Sequence, residues 1–244
     1  MKRGILGLML FAPWPAVIAA DKPTATLILG ARQGRATPQR QGFVHTGGGN
    51  IDVSQPSPDT LVVTMTGVAV AGAHPCKDSC ASLNFDFVQC FEIVVDKPHV
   101  QRAKLTVDGR VIGLLRSHGK GGLASEGEGR AVVRCGTTEI VDVTLPTHCA
   151  TAGDNLSLNA RSGPQAVFIS PGAYSLEQIW NVTASHSQCL FPCKTASAEF
   201  APEPALDPLW ISYSEPFKGA VKKDFGFQIV VKVSTEEPIS ANHP

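Results

Sequence analysis

The chain has 244 residues, of which 21 are Lys or Arg and 21 are Asp or Glu, and 43% of its residues are hydrophobic. The balanced charge, without a dense Lys/Arg block, argues against a protein that binds nucleic acid by neutralising phosphates. Intrinsically disordered chains combine low hydrophobicity with high net charge, and this chain has neither property. We therefore expect a folded protein.

The first segment, residues 1–20, has the features of a secretory signal peptide. Lys2 and Arg3 supply positive charge, an uncharged apolar stretch follows, and small alanines precede the predicted cleavage point. The apolar stretch is shorter than the ~20 residues that a membrane-spanning helix needs. We predict an exported protein, secreted or located in the periplasm or cell envelope, whose mature chain begins near Asp21 and contains no membrane span.

The rest of the chain alternates apolar and polar residues in the manner of β-strands and shows almost no helical periodicity. In the segment 82–96 this alternation predicts that Phe85, Phe91, Ile93 and Val95 are largely buried. The segments with strand character are 24–29, 59–71, 82–96, 101–115, 130–135, 139–145, 155–159, 166–170, 173–185 and 224–233. The pattern predicts an all-β fold, an antiparallel β-sandwich with long strands and disulfide-stapled loops.

The segment 101–115 contains Asp108-Gly109, a dipeptide that is favoured in tight hairpin turns. Val107 and Val111 nevertheless keep one alternation through this dipeptide, whereas a two-residue hairpin would pair Val107 with Arg110. We therefore predict one long strand that bends at its glycines.

Composition divides the chain into four parts. After the signal peptide, residues 21–48 are predicted to form a loosely attached N-terminal arm, residues 49–234 the sandwich domain, and residues 235–244 a flexible tail. Residues 117–129 are rich in Gly and Ser and are either an interdomain linker or an exposed loop. The long strands favour one domain over a split at this segment.

All seven cysteines follow the signal peptide, and in an oxidising compartment cysteines are more often disulfides than metal ligands. The disulfide candidates are Cys76, Cys80, Cys135, Cys149, Cys189 and Cys193. Two of the pairs would join cysteines four residues apart in turn-rich loops, and Cys135–Cys149 would close a loop of about 15 residues, worth roughly 3 kcal/mol. Cys90 lies within a predicted strand, and we interpret it as the buried, unpaired seventh thiol.

Histidines stand beside these cysteines in three places, and imidazole with thiolate is a donor set that suits Zn or Cu. The residues of this alternative metal site are His74, Cys76, Cys80, His148, Cys149, His186, Cys189 and Cys193. The spacing departs from that of structural zinc sites, so we favour polar loop histidines and predict no cofactor. By counting strands, loops 71–81 and 147–153 fall at one end of the sandwich, and loop 187–193 falls at the other end if 166–170 is a strand.

The sequence shows no feature that supports catalysis. Glu126 and Glu128, which could act as paired carboxylates, lie in the Gly/Ser-rich segment and not on a rigid element. Alternation assigns Trp180 to the core, whereas Trp210 is the best aromatic candidate for a binding surface. We predict a non-catalytic structural or binding role with a protein or glycan partner in the envelope. The alternatives are an extracytoplasmic metal-binding protein and a secreted hydrolase with an unrecognised site.

Overall fold

The computed structural model describes residues 24–42, 45–72, 79–97, 100–118, 122–127, 129–151, 155–186, 197–201 and 226–235. The strands are β1 (Ala25–Gly42), β2 (His45–Ser57), β3 (Thr60–Gly72), β4 (Ser79–Val95), β5 (Ala103–His118), β6 (Gly122–Glu126), β7 (Gly129–Cys135), β8 (Thr138–Leu145), β9 (His148–Thr151), β10 (Asn155–Arg161), β11 (Gln165–Ile169), β12 (Gly172–His186), β13 (Ser197–Ala201) and β14 (Gly226–Thr235). The predicted all-β class is confirmed. Within these ranges no helix is long and apolar enough to cross a membrane.

The strands form two seven-stranded antiparallel sheets. In the first sheet the order is β1-β4-β12-β6-β9, and β7 pairs with β12 and with β8. In the second sheet the order is β10-β5-β13-β3-β14, with β11 paired to β5, β2 paired to β3, and β14 also paired to β5. The inner faces of both sheets contribute to one hydrophobic core.

Aromatic rings and glycines bring the two sheets together. Trp180 of β12 stacks on Phe85 of β4 with ring centroids 5.1 Å apart, and its ring lies 6.2 Å from that of Phe227 in the second sheet. Gly49 and Gly67 of the second sheet face Phe85, and a Cβ on Gly49 would lie 2.6 Å from its ring. Side chains at these two positions would force the sheets apart, which is why glycine is required there.

The predicted inner faces of the long strands are confirmed. Phe85, Phe91 and Ile93 are at most 2% exposed, and Trp180 is fully buried as expected. Val95 is only partly buried, since it is the last residue of β4 and packs at the margin of the core.

The prediction for Asp108-Gly109 is also confirmed, because β5 passes through this dipeptide without a turn. The Gly109 N–H donates to the Ser162 hydroxyl at 2.9 Å, and the Ser162 N–H donates to the Gly109 carbonyl at 2.9 Å. Ser162 lies between β10 and β11, which pair with successive halves of β5. The dipeptide therefore marks the point where the neighbouring edge strand breaks.

The predicted loose arm is wrong for the described part of residues 21–48. β1 pairs with β4 from Ala25 to Gly42, with one irregularity between Leu29 and Arg32. The alternation predicted this strand only as far as Leu29, because most of its described residues beyond Leu29 are exposed. An edge strand can be held by backbone pairing along one side without a continuous apolar face.

Two further strands occur where the sequence predicted loops. β6 lies within the Gly/Ser-rich segment 117–129 and pairs with β12 and β9. β9 occupies part of the predicted loop 147–153. Both strands have five or fewer residues, so their own alternation is too short to identify them, and pairing with the neighbouring strands defines them.

Candidate functional site

The structure describes only some of the His and Cys residues that the sequence analysis named as site candidates. Free cysteines among the described residues are Cys80, Cys90, Cys135 and Cys149. The residues that lie outside the described ranges are His74, Cys76, Cys189, Cys193 and Trp210. The prediction that Cys90 is buried is wrong. Its neighbours Gln89 and Phe91 point into the core, so alternation places the Cys90 thiol on the exposed outer face of the first sheet.

The structure does not form the predicted Cys135–Cys149 disulfide. Cys135 follows Arg134, the β7 residue that pairs with Ser175 of β12. Cys149 pairs with Ser125 of β6, and Ser125 in turn pairs with Thr183 of β12. Thr183 is the eighth residue after Ser175, which corresponds to about 26 Å along a strand. A disulfide needs Cα atoms within about 7 Å, so this pairing prediction is wrong. Cys80 is likewise free, and the Cys189–Cys193 pair stays a prediction.

The strand ends beside the His/Cys loops lie at one end of the first sheet. Ser79, the first residue of β4, pairs with His186, the last residue of β12. Thr151, at the end of β9, pairs with Leu123 beside the same end of β12. Since 166–170 is a strand, the strand count predicted opposite ends. This prediction is wrong because β10 and β11 both run antiparallel to β5, in the same direction as each other, so the count included one reversal too many. In the described part of the chain no group of three His, Cys, Asp or Glu side chains could hold a metal, and the metal hypothesis stays a prediction.

The free cysteines lead to a testable thiol count. We expect Cys90, Cys135 and Cys149 to react quickly with Ellman's reagent in the folded, unreduced protein because all three are exposed, and Cys80 to react more slowly because it is half-buried. A Cys90→Ser variant should lose one thiol of the fast class. Fewer than three fast thiols in the wild-type protein would show that a disulfide absent from this structure forms.

Five charged groups on β7, β8 and β12 form one cluster of ion pairs. The Arg130 guanidinium donates to Asp142 from Nε at 3.1 Å and from Nη2 at 2.7 Å. Arg134 bridges Glu139 at 3.2 Å and Glu177 at 2.9 Å. These contacts tie together β7, β8 and β12, so the cluster has a structural explanation.

The pKa of Asp142 is lowered from its ordinary value, mainly by the hydrogen bonds from Arg130. A carboxylate whose pKa is lower in the folded state stabilises the protein above its unfolded-state pKa, and this contribution is lost as the pH falls through the folded-state pKa. At neutral pH we therefore expect Asp142→Asn to lower the free energy of unfolding by at most about 1 kcal/mol, because the pair is partly exposed. The difference from wild type should disappear in acid below the lowered pKa. Urea titrations from pH 7 to pH 2 measure it, and a difference that grows in acid would contradict this explanation.

A cleft opens between the edge strands β1 and β2, which lie side by side at one margin of the two sheets. Its volume is about 380 Å³, within the range of about 300–1,000 Å³ that is typical of ligand pockets. The residues that line it are Arg32, Gln33, Gly34, Arg35 and Ala36 of β1, Gly49, Asn50 and Ile51 of β2, and Phe87 of β4.

A β-bulge sets the direction of Arg32. Leu29 lies opposite Phe91 and Arg32 lies opposite Gln89, so β1 has one residue more than β4 between these two pairs. Without the extra residue, simple alternation would place Arg32 on the outer face of the sheet. Because Arg32 is opposite the buried Gln89, it lies instead on the face that looks toward the second sheet.

The bulge is held by the buried amide of Gln89. Its Nε2 donates to the Gly30 carbonyl at 3.1 Å and to the Cys90 carbonyl at 2.7 Å. These bonds satisfy backbone groups that the interrupted ladder would otherwise leave unpaired. The position of Arg32 is therefore built into the strand.

Gly34 brings the β1 backbone very close to β4. Its φ is +135°, a region that side chains disfavour, and a Cβ there would collide with the carbonyl oxygen of Asp86. On the other side of β1, a second depression of about 590 Å³ is lined in part by Arg35 and Asp86. Arg35 thus borders both the cleft and this outer depression.

The cleft is positively charged. Among the described residues that line it, Arg32 and Arg35 are the charged ones. Among the described residues the ion pairs involve other arginines, and Asp86, although opposite Arg35 in register, forms none with it. The sequence analysis missed both arginines because they lie in the predicted arm. The one signal in the sequence was Gly34, a glycine between two closely spaced basic residues.

The cleft thus places Arg32, which forms no ion pair with the described residues, beside the apolar side chains of Ile51 and Ala36, while Arg35 borders the cleft from the outer face of β1. The outer depression differs from the cleft because its lining includes the carboxylate of Asp86. Comparisons of this chain with protein-family models, curated proteins and solved structures find no match.

Proposed function

We propose that the chain is an exported β-sandwich protein with a non-catalytic binding role, and that the cleft between β1 and β2 is its binding site. Support for the sandwich comes from the two antiparallel sheets that share one core. Support for export comes from the signal-peptide features of residues 1–20. The observation that carries the binding role is the bulge that aims an unpaired Arg32 into the cleft.

Three other arginines serve the fold. Arg130 and Arg134 hold neighbouring strands through carboxylates, and Arg161 pairs with Asp108 across the second sheet. Basic residues on an edge strand also discourage aggregation, which accounts for exposed arginines in β1. A bulge and an inward-pointing charge can also protect a sheet edge, but edge protection does not account for a cleft of ligand size beside Arg32, so we infer a ligand.

Export is tested by intact-mass measurement of the protein recovered outside the cytoplasm. We expect a chain that begins near Asp21. Exported material that still carries residues 1–20 would contradict this part of the proposal.

Binding at the cleft is tested by sedimentation with the insoluble envelope fraction of cells that produce the chain. We expect the wild-type protein to sediment with this fraction and Arg32→Trp to remain in the supernatant, because Arg32 is exposed, faces the second sheet and lines the cleft. The matched control is Gln165→Trp, an exposed position on β11 at the opposite margin of the second sheet. Equal sedimentation of wild type and Arg32→Trp, or no sedimentation at all, would refute the proposed site.

A further inference from the structure

The polar groups of the cleft select the charge of its ligand. Arg32 provides a guanidinium group on the inward face of β1, and Arg35, opposite the exposed Asp86, provides a second one on the outer face. Guanidinium binds carboxylate and related oxyanions through paired hydrogen bonds, which are stronger than bonds between neutral groups. With no carboxylate among the described residues that line it, the cleft favours a ligand with negative charge.

The spacing of the two arginines favours a ligand with repeated charges. Arg35 is the third residue after Arg32, so their Cα atoms are about 10 Å apart in an extended strand. Arg32 lines the cleft, whereas Arg35 also borders the outer depression beyond Gly34. A single small anion reaches one of these groups, but a chain of anionic units that crosses β1 reaches both.

The backbone of β1 argues against an extended peptide as this ligand. Strand addition needs a regular series of free N–H and C=O groups along the edge. The bulge between Leu29 and Arg32 and the positive φ of Gly34 interrupt that series, and Pro38 has no N–H to donate. Side chains must therefore provide most of the recognition.

The remaining lining is apolar. Phe87, Ile51 and Ala36 form a hydrophobic wall beside the arginines, an arrangement in which apolar contacts supply area and a few polar groups supply orientation. A sugar ring presents C–H groups to such a wall and carries its charge at the rim. Resting on the proposed binding role of the cleft, we propose that its ligand is an anionic polysaccharide whose carboxylate or sulfate groups are bound by Arg32 and Arg35.

Titration calorimetry of the purified exported chain tests this proposal with three polymers. Polygalacturonate presents carboxylates, dextran sulfate presents sulfates, and unmodified dextran is the uncharged control. We expect at least one of the two anionic polymers to bind and unmodified dextran not to bind. The anionic polymer that binds more tightly identifies whether carboxylate or sulfate is the preferred group. Equal affinity for dextran would overturn the proposal.

Variants separate the two arginines from general surface charge. We expect Arg32→Gln with Arg35→Gln to weaken binding at least tenfold, while Arg102→Gln with Lys104→Gln, the same charge change on a different part of the surface, weakens it less than twofold. Arg32→Lys keeps the charge but loses the paired donor geometry, so its loss should be intermediate. Equal losses in both double variants, with unchanged thermal midpoints, would show that binding is diffuse and overturn the proposal.

Two outcomes distinguish the ligand class from the site itself. Tighter binding of polyglutamate than of either anionic polysaccharide would replace the proposed ligand with an acidic polypeptide. Envelope sedimentation that Arg32→Trp abolishes, combined with no binding of any anionic polysaccharide, would refute the ligand class and leave the cleft as the binding site.

Discussion

Truncation of Phe91 to alanine is expected to lower the free energy of unfolding by about 3–5 kcal/mol, because it removes a large side chain from a packed core and leaves a cavity. Phe91 is 2% exposed, and its ring stacks on Tyr174 with centroids 5.9 Å apart. The Tyr174 hydroxyl donates to the Ser170 carbonyl at 2.6 Å, so the neighbouring ring is held in place and cannot move to fill the cavity. Chemical denaturation with a two-state fit measures the effect.

The matched control for this variant is Glu92→Ala, the adjacent residue on the exposed face of β4. Its free energy of unfolding should change by no more than about 0.5 kcal/mol. An unchanged unfolding midpoint for Phe91→Ala, or equal losses in the two variants, would mean that the inner face of β4 has been assigned incorrectly.

Replacement of Gln178 by methionine is expected to raise the free energy of unfolding by about 1–3 kcal/mol, the cost of burying an amide without partners. Gln178 is 1% exposed, and neither its amide nitrogen nor its amide oxygen has a hydrogen-bond partner. It lies on the inner face of β12, opposite Phe87 and Ala131. Methionine has a similar length and no polar amide to desolvate, so the core keeps its packing.

Gln89 provides a control of opposite sign for this prediction. It is also buried, at 2% exposure, but its amide donates to carbonyls at the β1 bulge. Gln89→Met should therefore lower the free energy of unfolding by about 1–3 kcal/mol, since buried carbonyls lose their donor. A loss of stability in Gln178→Met equal to that in Gln89→Met would show that the Gln178 amide is satisfied by a bound water molecule.

The long central strands were predictable because alternation is a local property. β4, β5 and β12 each bury every second side chain along most of their length, and a buried face leaves a period of two in the sequence. The same parity located Trp180 in the core and carried β5 through Asp108-Gly109. For Cys90, parity already pointed to the exposed face, and the interpretation as a buried thiol failed because it relied on residue type.

The edge strands and the candidate site were not predictable in this way. β1 was predicted only as far as Leu29 because most of its described residues beyond that point are exposed, and β6 and β9 were missed because they are short. The distance between Cys135 and Cys149 depends on which segments of β12 lie beside their strands. The number of residues between the two cysteines does not determine that distance.

The sequence by itself determined the β class and the inner faces of the long strands, and it predicts an export signal, because each of these is carried by consecutive residues. Only the tertiary structure decided that Arg32 faces a cleft. Its direction depends on one extra residue in β1 relative to β4, and on the Gln89 amide that holds this bulge. A bulge is defined by the register between two strands. The two residues that this hydrogen bond joins, Gly30 and Gln89, are 59 positions apart in the sequence. No local pattern records that register, so the site emerges only when the strands pair.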